Sequence, residues 1–225
     1  MSFSLDMNKF IIFYGGAASI EIINYMFDAK ISNKEDIYYF FDKSMNKQNK
    51  KYFKGKIKNV KFLNQISELK QTNTKKCIIS TGNINLRQDA CAIIKKLKLN
   101  PIKVIHPTSY VSNNSIISEG VVIAPFVTVA PFSKIGKNSF LNSYSSLGHH
   151  SKLGEGNILC PYSTINGNSS IGKFNYFGTG SVVNSKIKIA NSSKLSSNSV
   201  LRSNMSSFSL AHGNPAKIRK IYLNN

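Results

Sequence analysis

Two adjacent histidines, His149 and His150, stand in the stretch SSLGHHSKLGEG (145–156), between two Leu-Gly pairs six residues apart. A neutral imidazole within hydrogen-bond reach of an amine or hydroxyl can take its proton as that group attacks a carbonyl, so His149 reads as a candidate general base. Three converging histidines would instead suggest zinc. The remaining histidines are His106 and His212, and His106 precedes the repeat described below. Alternation along a strand would also send His149 and His150 to opposite sides. No metal is therefore expected. The plainer alternative is a pair of polar residues on a surface without chemistry.

The elements that position this pair follow from a repeat. From Val111, every sixth residue is apolar: Val111, Ile117, Ile123, Val129, Ile135, Leu141, Leu147, Leu153, Leu159, Ile165, Ile171, Phe177, Val183, Ile189, Leu195 and Leu201. At ordinary apolar content the chance of such a run is on the order of one in a million. Small residues often follow the apolar one, as at Ala124, Gly136, Gly148, Gly154, Gly172 and Gly178, and serine recurs four positions after it. A strict period of six fits neither the 3.6-residue helix nor a hairpin meander. It describes a solenoid in which each hexapeptide is a short strand plus a corner, and stacking buries a continuous aliphatic column. The small residues are expected to let the chain turn and the coils approach closely. The histidines fall within the register, on a regular coil.

Residues 1–105 have a different pattern. FIIFY (10–14) ends at Gly15-Gly16 and leads into an amphipathic stretch to about residue 29; IYYFF (37–41) ends at Asp42; CIIST (77–81) ends at Gly82-Asn83. Leu86, Ala90, Ile93, Ile94 and Leu97 follow at helical spacing, and KVI (103–105) reads as a last strand. Strand, glycine turn and helix in alternation predict a small Rossmann-like α/β domain with a parallel sheet. Ligands of such sheets bind at the carboxyl ends of the strands, where Gly15, Asp42 and Gly82 fall. The full GxGxxG is absent, so a dinucleotide is not expected. His106-Pro107 marks the boundary, giving domains 1–105 and 106–225.

The bulk properties restrict the remaining classes. The net charge is +20, with 27 lysines and only three arginines, Arg87, Arg202 and Arg219. Bidentate readout of bases and phosphates favours arginine, and no basic stripe interleaved with aromatics occurs, so nucleic acid is not an expected partner. The charge suits compositional bias, or attraction of an anionic substrate such as a nucleotide sugar or coenzyme A. Cys77, Cys91 and Cys160 are odd in number and form no CxxC, which predicts free, buried thiols and a reducing compartment. The opening MSFSLDMNKF lacks the pattern of a signal peptide, and the apolar stretch after it is broken by Gly15, Gly16 and Glu21, too interrupted to span a bilayer. A cytoplasmic protein without membrane insertion is the expectation.

The repeat, preceded by the α/β domain and IHPTSYVSNNSIISEGVVIAPFVTVAP (105–131) and followed by GNPAK (213–217), resembles the hexapeptide-repeat sugar acetyltransferases of bacteria. It is similar to those related to the sialic-acid O-acetyltransferases and to the UDP-4-amino-sugar N-acetyltransferases, over nearly the whole chain. The resemblance implies a left-handed parallel β-helix with three hexapeptides per triangular coil. It also implies a homotrimer, a front domain that cradles a sugar nucleotide, and acetyl-CoA in a groove between coils of adjacent subunits. His149 matches the family's catalytic histidine, and Gly167 the glycine whose N–H meets the acetyl thioester. Thr179 and Ser197 match later positions near the pantetheine, and Asn214 and Pro215 lie in the segment closing over coenzyme A. Gly15, Gly16, Ala17, Asp42, Lys43, Gly82 and Arg87 match nucleotide-contacting positions.

Three departures accompany the match. Where the family usually has Glu or Asp directly after the histidine, this chain has His150, a candidate for substrate contact. The partners left for His149 are Glu119 or Glu155 across a subunit interface, or a backbone carbonyl. A second family histidine is replaced by Ile158, and the Gly-His-Gly of the front loop becomes Ala18-Ser19-Ile20. The implied activity is therefore acetyl transfer to an amino or hydroxyl group of a sugar, with a nucleotide-linked amino sugar as the leading acceptor. O-acetylation of sialic acid or a polysaccharide is the alternative within the class, and a non-catalytic sugar-nucleotide-binding solenoid is the alternative outside it.

Overall fold

The computed structural model describes residues 8–43 and 47–220. Most of the stretch read for a signal peptide (1–7) and the last of the C-terminal tail (221–225) lie outside the described residues. The chain divides into two compact units, Met1–Ile102 and Lys103–Asn225.

The first unit is a five-stranded, all-parallel sheet in the order β3-β2-β1-β4-β5. The strands are β1 (Lys9–Phe13), β2 (Ile37–Phe41), β3 (Val60–Leu63), β4 (Lys76–Ile79) and β5 (Asn100–Pro101). They alternate with α1 (Ala17–Asp28), α2 (Lys47–Lys54), α3 (Ile66–Leu69), which runs into a single 3-10 turn at Lys70–Thr72, and α4 (Ile84–Lys96). Phe10, Ile11, Ile12 and Phe13 of β1 and Tyr38, Phe40 and Phe41 of β2 are buried. Near-continuous apolar runs of this kind belong to parallel strands covered on both faces. Strand order reverses between β1 and β4, the switch point at which such sheets bind ligands. Sequence patterning missed β3 and α2, because VKFL is only half-buried and KQNKKYFK is dominated by lysine.

The second unit is a left-handed parallel β-helix. Two-residue strands recur every six residues from Val104–Ile105 to Val200–Leu201, and each pairs in parallel with the strand eighteen residues away, as Thr128 does with Ser146 and Ser146 with Thr164. Three sheets result, one for each side of a triangular coil. The segment 103–105, expected to close the front sheet, opens the helix instead: Val104 pairs with Val122 and Ile105 with Ile123. A three-residue apolar segment cannot choose between two sheets by local preference, and the ladder partner eighteen residues on decides it.

The aliphatic column fills the interior. Of its sixteen residues, those from Ile123 to Leu201 are buried, and only Val111 and Ile117 in the first coil are partly exposed. The recurrent serines from Ser133 onward are buried with it, and several of their hydroxyls donate to corner carbonyls: Ser133 Oγ to Ala130 O at 2.7 Å, Ser151 Oγ to Asn166 O at 3.1 Å and Ser169 Oγ to Asn184 O at 3.1 Å, whereas those of Ser145 and Ser181 have no partner among the described residues. A buried hydroxyl without such a partner would cost about 1–3 kcal/mol. The glycines after the apolar residue permit close stacking: a Cβ on Gly136 would lie 2.4 Å from the backbone of Gly154. They do not make the turn. The turn is made two positions later, where the backbone enters the left-handed region at each corner from Gly120 to Asn198, and that position holds Phe126, Phe132, Tyr144, His150, Tyr162, Asn168 and Phe174 among others.

Leu147 has no exposed surface. Leu147→Ala should lower unfolding stability by about 2–5 kcal/mol, while Lys152→Ala on the outer side of the next strand should change it by less than about 0.5 kcal/mol. Denaturant midpoints of the two variants check the column. Cys77 and Cys91 are buried and Cys160 is half-buried, and none of the three is in a disulfide; burial raises the Cys77 and Cys160 thiols above the usual range. Among the described residues, no helix is long and apolar enough to cross a membrane.

Candidate functional site

His149 and His150 occupy a corner, not a strand. The strand Ser146–Leu147 ends, Gly148 follows, and His150 takes the left-handed conformation (φ 58°). The expected alternation therefore does not apply. Both imidazoles are exposed, and their Nδ1 atoms lie 3.1 Å apart. Two backbone bonds fix the corner: His150 N–H donates to Pro131 O at 3.0 Å, and Asn168 N–H to His149 O at 2.8 Å. The His150 ring also lies against Phe132, one coil away at the same corner, with ring centroids 5.0 Å apart.

Gly167 is the neighbour of His149 in the adjacent coil. A Cβ there would sit 2.7 Å from His149 Nε2 and 2.8 Å from Cε1, so the absence of a side chain leaves room for the ring. The Gly167 N–H has no acceptor among the described residues, whereas its carbonyl accepts from Lys186 N–H at 3.0 Å. One corner thus combines an imidazole nitrogen packed on a glycine with an unengaged backbone donor. Those features fit the carbonyl of a thioester.

The two carboxylates of the coils are elsewhere. Glu119 pairs with Lys137 (3.0 Å) and Glu155 with Lys173 (3.5 Å), both at the following corner of the triangle. Glu155 lies six residues after His149, and a six-residue offset is one side of the coil, so the register itself separates them. Among the described residues no group of three or more His, Cys, Asp or Glu side chains is placed to hold a metal. His106 is buried and bonds Thr108 through Nδ1 (2.9 Å). Ile158, at the position of the second family histidine, is buried.

Thr179 and Ser197 are exposed and adjacent, joined by Asn198 N–H to Thr179 O at 2.9 Å. They stand at the third corner, which follows the strands Tyr176–Phe177 and Lys194–Leu195. Within one chain they are not brought to His149. Asn214 and Pro215 form the exposed turn between two antiparallel strands, Ser209–His212 and Lys217–Lys220, and Gly213 N–H binds Ser199 Oγ at 2.9 Å near that same corner. The corner also carries a ladder that sequence reasoning missed: Phe126, Tyr144 and Tyr162 are about half exposed, and successive rings stack 4.9 Å apart. The eighteen-residue spacing of these aromatics was its signal.

In the first unit the switch point gathers Gly15, Gly16 and Ala17 after β1, Asp42 and Lys43 after β2, and Gly82 after β4. A Cβ on Gly16 or Gly82 would meet nothing within 4 Å, so these glycines leave open approaches to the backbone. A cavity of 370 Å³ adjoins Gly16, lined also by Ala17, Gln48, Tyr52 and Phe53. The side chains from α2 carry no motif and were not foreseen. Tyr14, left-handed at φ 59°, donates its phenol to Asp89, which also faces Lys43 Nζ at 3.6 Å. Burial, reinforced by Asp89, raises the Tyr14 hydroxyl above its usual range. Arg87 departs from the expected role. Its side chain is fully buried, donates to Thr81 O at 2.7 Å and is lowered to about 10 by desolvation, so it braces the loop after β4 and presents no surface to a ligand. A larger cavity, 620 Å³, lies by the amino end of β4 and the end of α4, lined by Lys70, Lys75, Lys96 and Lys98 among others, and includes none of these residues.

A search of curated proteins finds no match to the sequence. The sequence profile of the bacterial transferase hexapeptide family (six repeats) matches residues 132–167. Among solved structures, a mutant perosamine N-acetyltransferase from Caulobacter crescentus, in complex with CoA and GDP-perosamine, is 22% identical with a TM-score of 0.80, covering 96% of this chain and 99% of that one. The acetyltransferase domain of PglB from Neisseria gonorrhoeae, in complex with acetyl coenzyme A, is 18% identical with a TM-score of 0.80, covering 94% and 98%. WeeI from Acinetobacter baumannii is 20% identical with a TM-score of 0.81, covering 95% and 100%. Residues 132–167 thus carry the bacterial transferase hexapeptide repeat, and the described residues have the fold of these bacterial acetyltransferases.

Proposed function

We propose that this chain is an acetyl-CoA-dependent acetyltransferase acting on the amino or hydroxyl group of a sugar, a nucleotide-linked amino sugar above all, in the building of bacterial surface glycans. The observation that carries the reading is the packing of the His149 ring on Gly167, a glycine whose N–H is unengaged. His149 Nε2 takes the proton of the acceptor as its nitrogen or oxygen attacks the thioester carbon. The Gly167 N–H steadies the charge that develops on the carbonyl oxygen. The C–S bond breaks as the new N–C or O–C bond forms, and the proton passes from His149 Nε2 to the departing thiolate. The carbonyl-bearing group of acetyl-CoA belongs beside Gly167, and the open backbone of Gly16 and Gly82 suits the phosphates of a nucleotide sugar.

The split between corners supports a homotrimer. Thr179, Ser197 and the Asn214-Pro215 turn reach a thioester at His149 only if a second copy supplies them, and the exposed ladder of Phe126, Tyr144 and Tyr162 beside them is surface suited to such a contact.

The test is release of free coenzyme A when the protein is mixed with acetyl-CoA and a panel of nucleotide sugars. Release with a nucleotide-linked amino sugar is expected, together with a raised thermal midpoint from the nucleotide sugar alone, since a ligand at 100 times its Kd contributes about 2.7 kcal/mol. Stabilisation without release would establish the binding-only alternative, and absence of both would end the reading.

A further inference from the structure

The Nδ1 atoms of His149 and His150 lie 3.1 Å apart, so one ring donates its Nδ1 proton and the other accepts. The direction matters, because a neutral imidazole holds one proton. If His150 donated, His149 would carry its proton on Nε2, the atom beside Gly167, and would have no lone pair there. If His149 donates, Nε2 is bare, beside Gly167.

We propose that His150 is a positioning residue that accepts the Nδ1 proton of His149, and that the pair works as a relay of two neutral imidazoles. The inference rests on the acetyl-transfer reading for its purpose, though not for its geometry. As His149 Nε2 gains the acceptor's proton, the Nδ1–H bond of His149 breaks and an Nδ1–H bond forms on His150. His149 ends neutral and His150 ends as an imidazolium with its proton-bearing Nε2 unchanged; no electron is exchanged and no other reactant is used. The charge then sits on the ring that lies against Phe132, where the aromatic face and surrounding water both favour a cation.

The surroundings leave His150 as the partner. Phe132 and Asn168 flank it at the same corner, and the titratable groups on the strands leaving this corner and at the same corner of the coils beyond are the exposed lysines Lys134, Lys152 and Lys186. Both coil carboxylates are engaged with lysines at another corner. The corner also fixes the ring's placement, since the left-handed backbone at His150 and its bond to Pro131 O recur through the helix.

The test uses the full-length protein with nitrogen-15 in its histidines, at about pH 8, where imidazoles are mostly neutral. Long-range nitrogen–proton spectra are expected to show His149 protonated at Nδ1 and His150 at Nε2. A His149 protonated at Nε2 would overturn the proposal. His150→Phe is a tolerant probe, because Phe132 and Phe174 already occupy the same left-handed position elsewhere in the helix. It should move His149 toward the Nε2-protonated form and lower kcat at least about 10-fold with KM little changed. His150→Glu should restore both the Nδ1 proton and kcat, and extend activity to more acidic conditions, since a carboxylate remains an acceptor where imidazoles gain protons. A His150→Phe protein with unchanged tautomer and kcat would also overturn it. An inactive wild-type protein showing the expected tautomers would unseat the acetyl-transfer reading and leave the role of His150 standing; the reversed tautomers in an active protein would do the opposite.

Discussion

Replacing His149 by alanine should lower kcat for acetyl transfer by about 10²–10⁴-fold and leave the thermal midpoint unchanged. The two halves of that expectation come from different observations. The loss follows because His149 Nε2 is the side-chain nitrogen packed on Gly167. The unchanged stability follows because the imidazole is exposed and its one side-chain hydrogen bond is to another exposed ring. The corner is held instead by backbone bonds, from His150 N–H to Pro131 O and from Asn168 N–H to His149 O, which alanine keeps. The measurement is coenzyme A release alongside a thermal melt. Full activity in a folded alanine variant would remove His149 from the chemistry, whatever its neighbour does.

The second large effect is expected at Gly167, and the contrast with Gly148 makes it specific. In Gly167→Ala the new methyl lies 2.7 Å from His149 Nε2 and 3.0 Å from Cδ2. These atoms are the far end of an exposed side chain, so the ring swings away and the fold persists. A displacement of about 1 Å at a reacting group can cost on the order of 100-fold in rate, and a loss of that size is expected with little change in melting. In Gly148→Ala the methyl lies 2.4 Å from Gly167 N and 2.7 Å from Asn166 C. Those are backbone atoms of the next coil, which can yield only if the coils part. The expected outcome is a loss of about 1–3 kcal/mol of stability, the usual cost of overpacking. Kinetics and melts on the two variants separate a rate effect from a folding effect; a Gly167→Ala enzyme as fast as wild type would show that the ring on this glycine is incidental.

The β-helix was legible because the sequence states one local solution sixteen times. An aliphatic residue every six positions has one place to go once coils stack, and pairing at eighteen follows from three sides per coil. The register also put His149 and Gly167 eighteen residues apart, hence in neighbouring coils of one corner. Less could be read where a segment's role depends on what lies across from it. KVI suits a strand in either unit, and its ladder with Val122 and Ile123 settled the matter. VKFL and the lysine-rich α2 carry weak patterns, and they join the sheet and line the 370 Å³ cavity because neighbouring strands and aromatic contacts, such as Phe40 with Phe53 at 4.5 Å, hold them there.

At the site itself, residue types and spacing determined the solenoid, the corner register and the candidate base. Only the tertiary structure decided how the two histidines relate. Strand alternation would have turned them apart, but the left-handed backbone at this corner turns His150 back toward His149. It also decided that Arg87 lies inside the first unit, and that Thr179 and Ser197 stand at a different corner from His149. The physical reason is common to all three. Periodicity fixes which residues face inward, whereas the direction of an outward side chain depends on the backbone at the turn and on the neighbours it meets there.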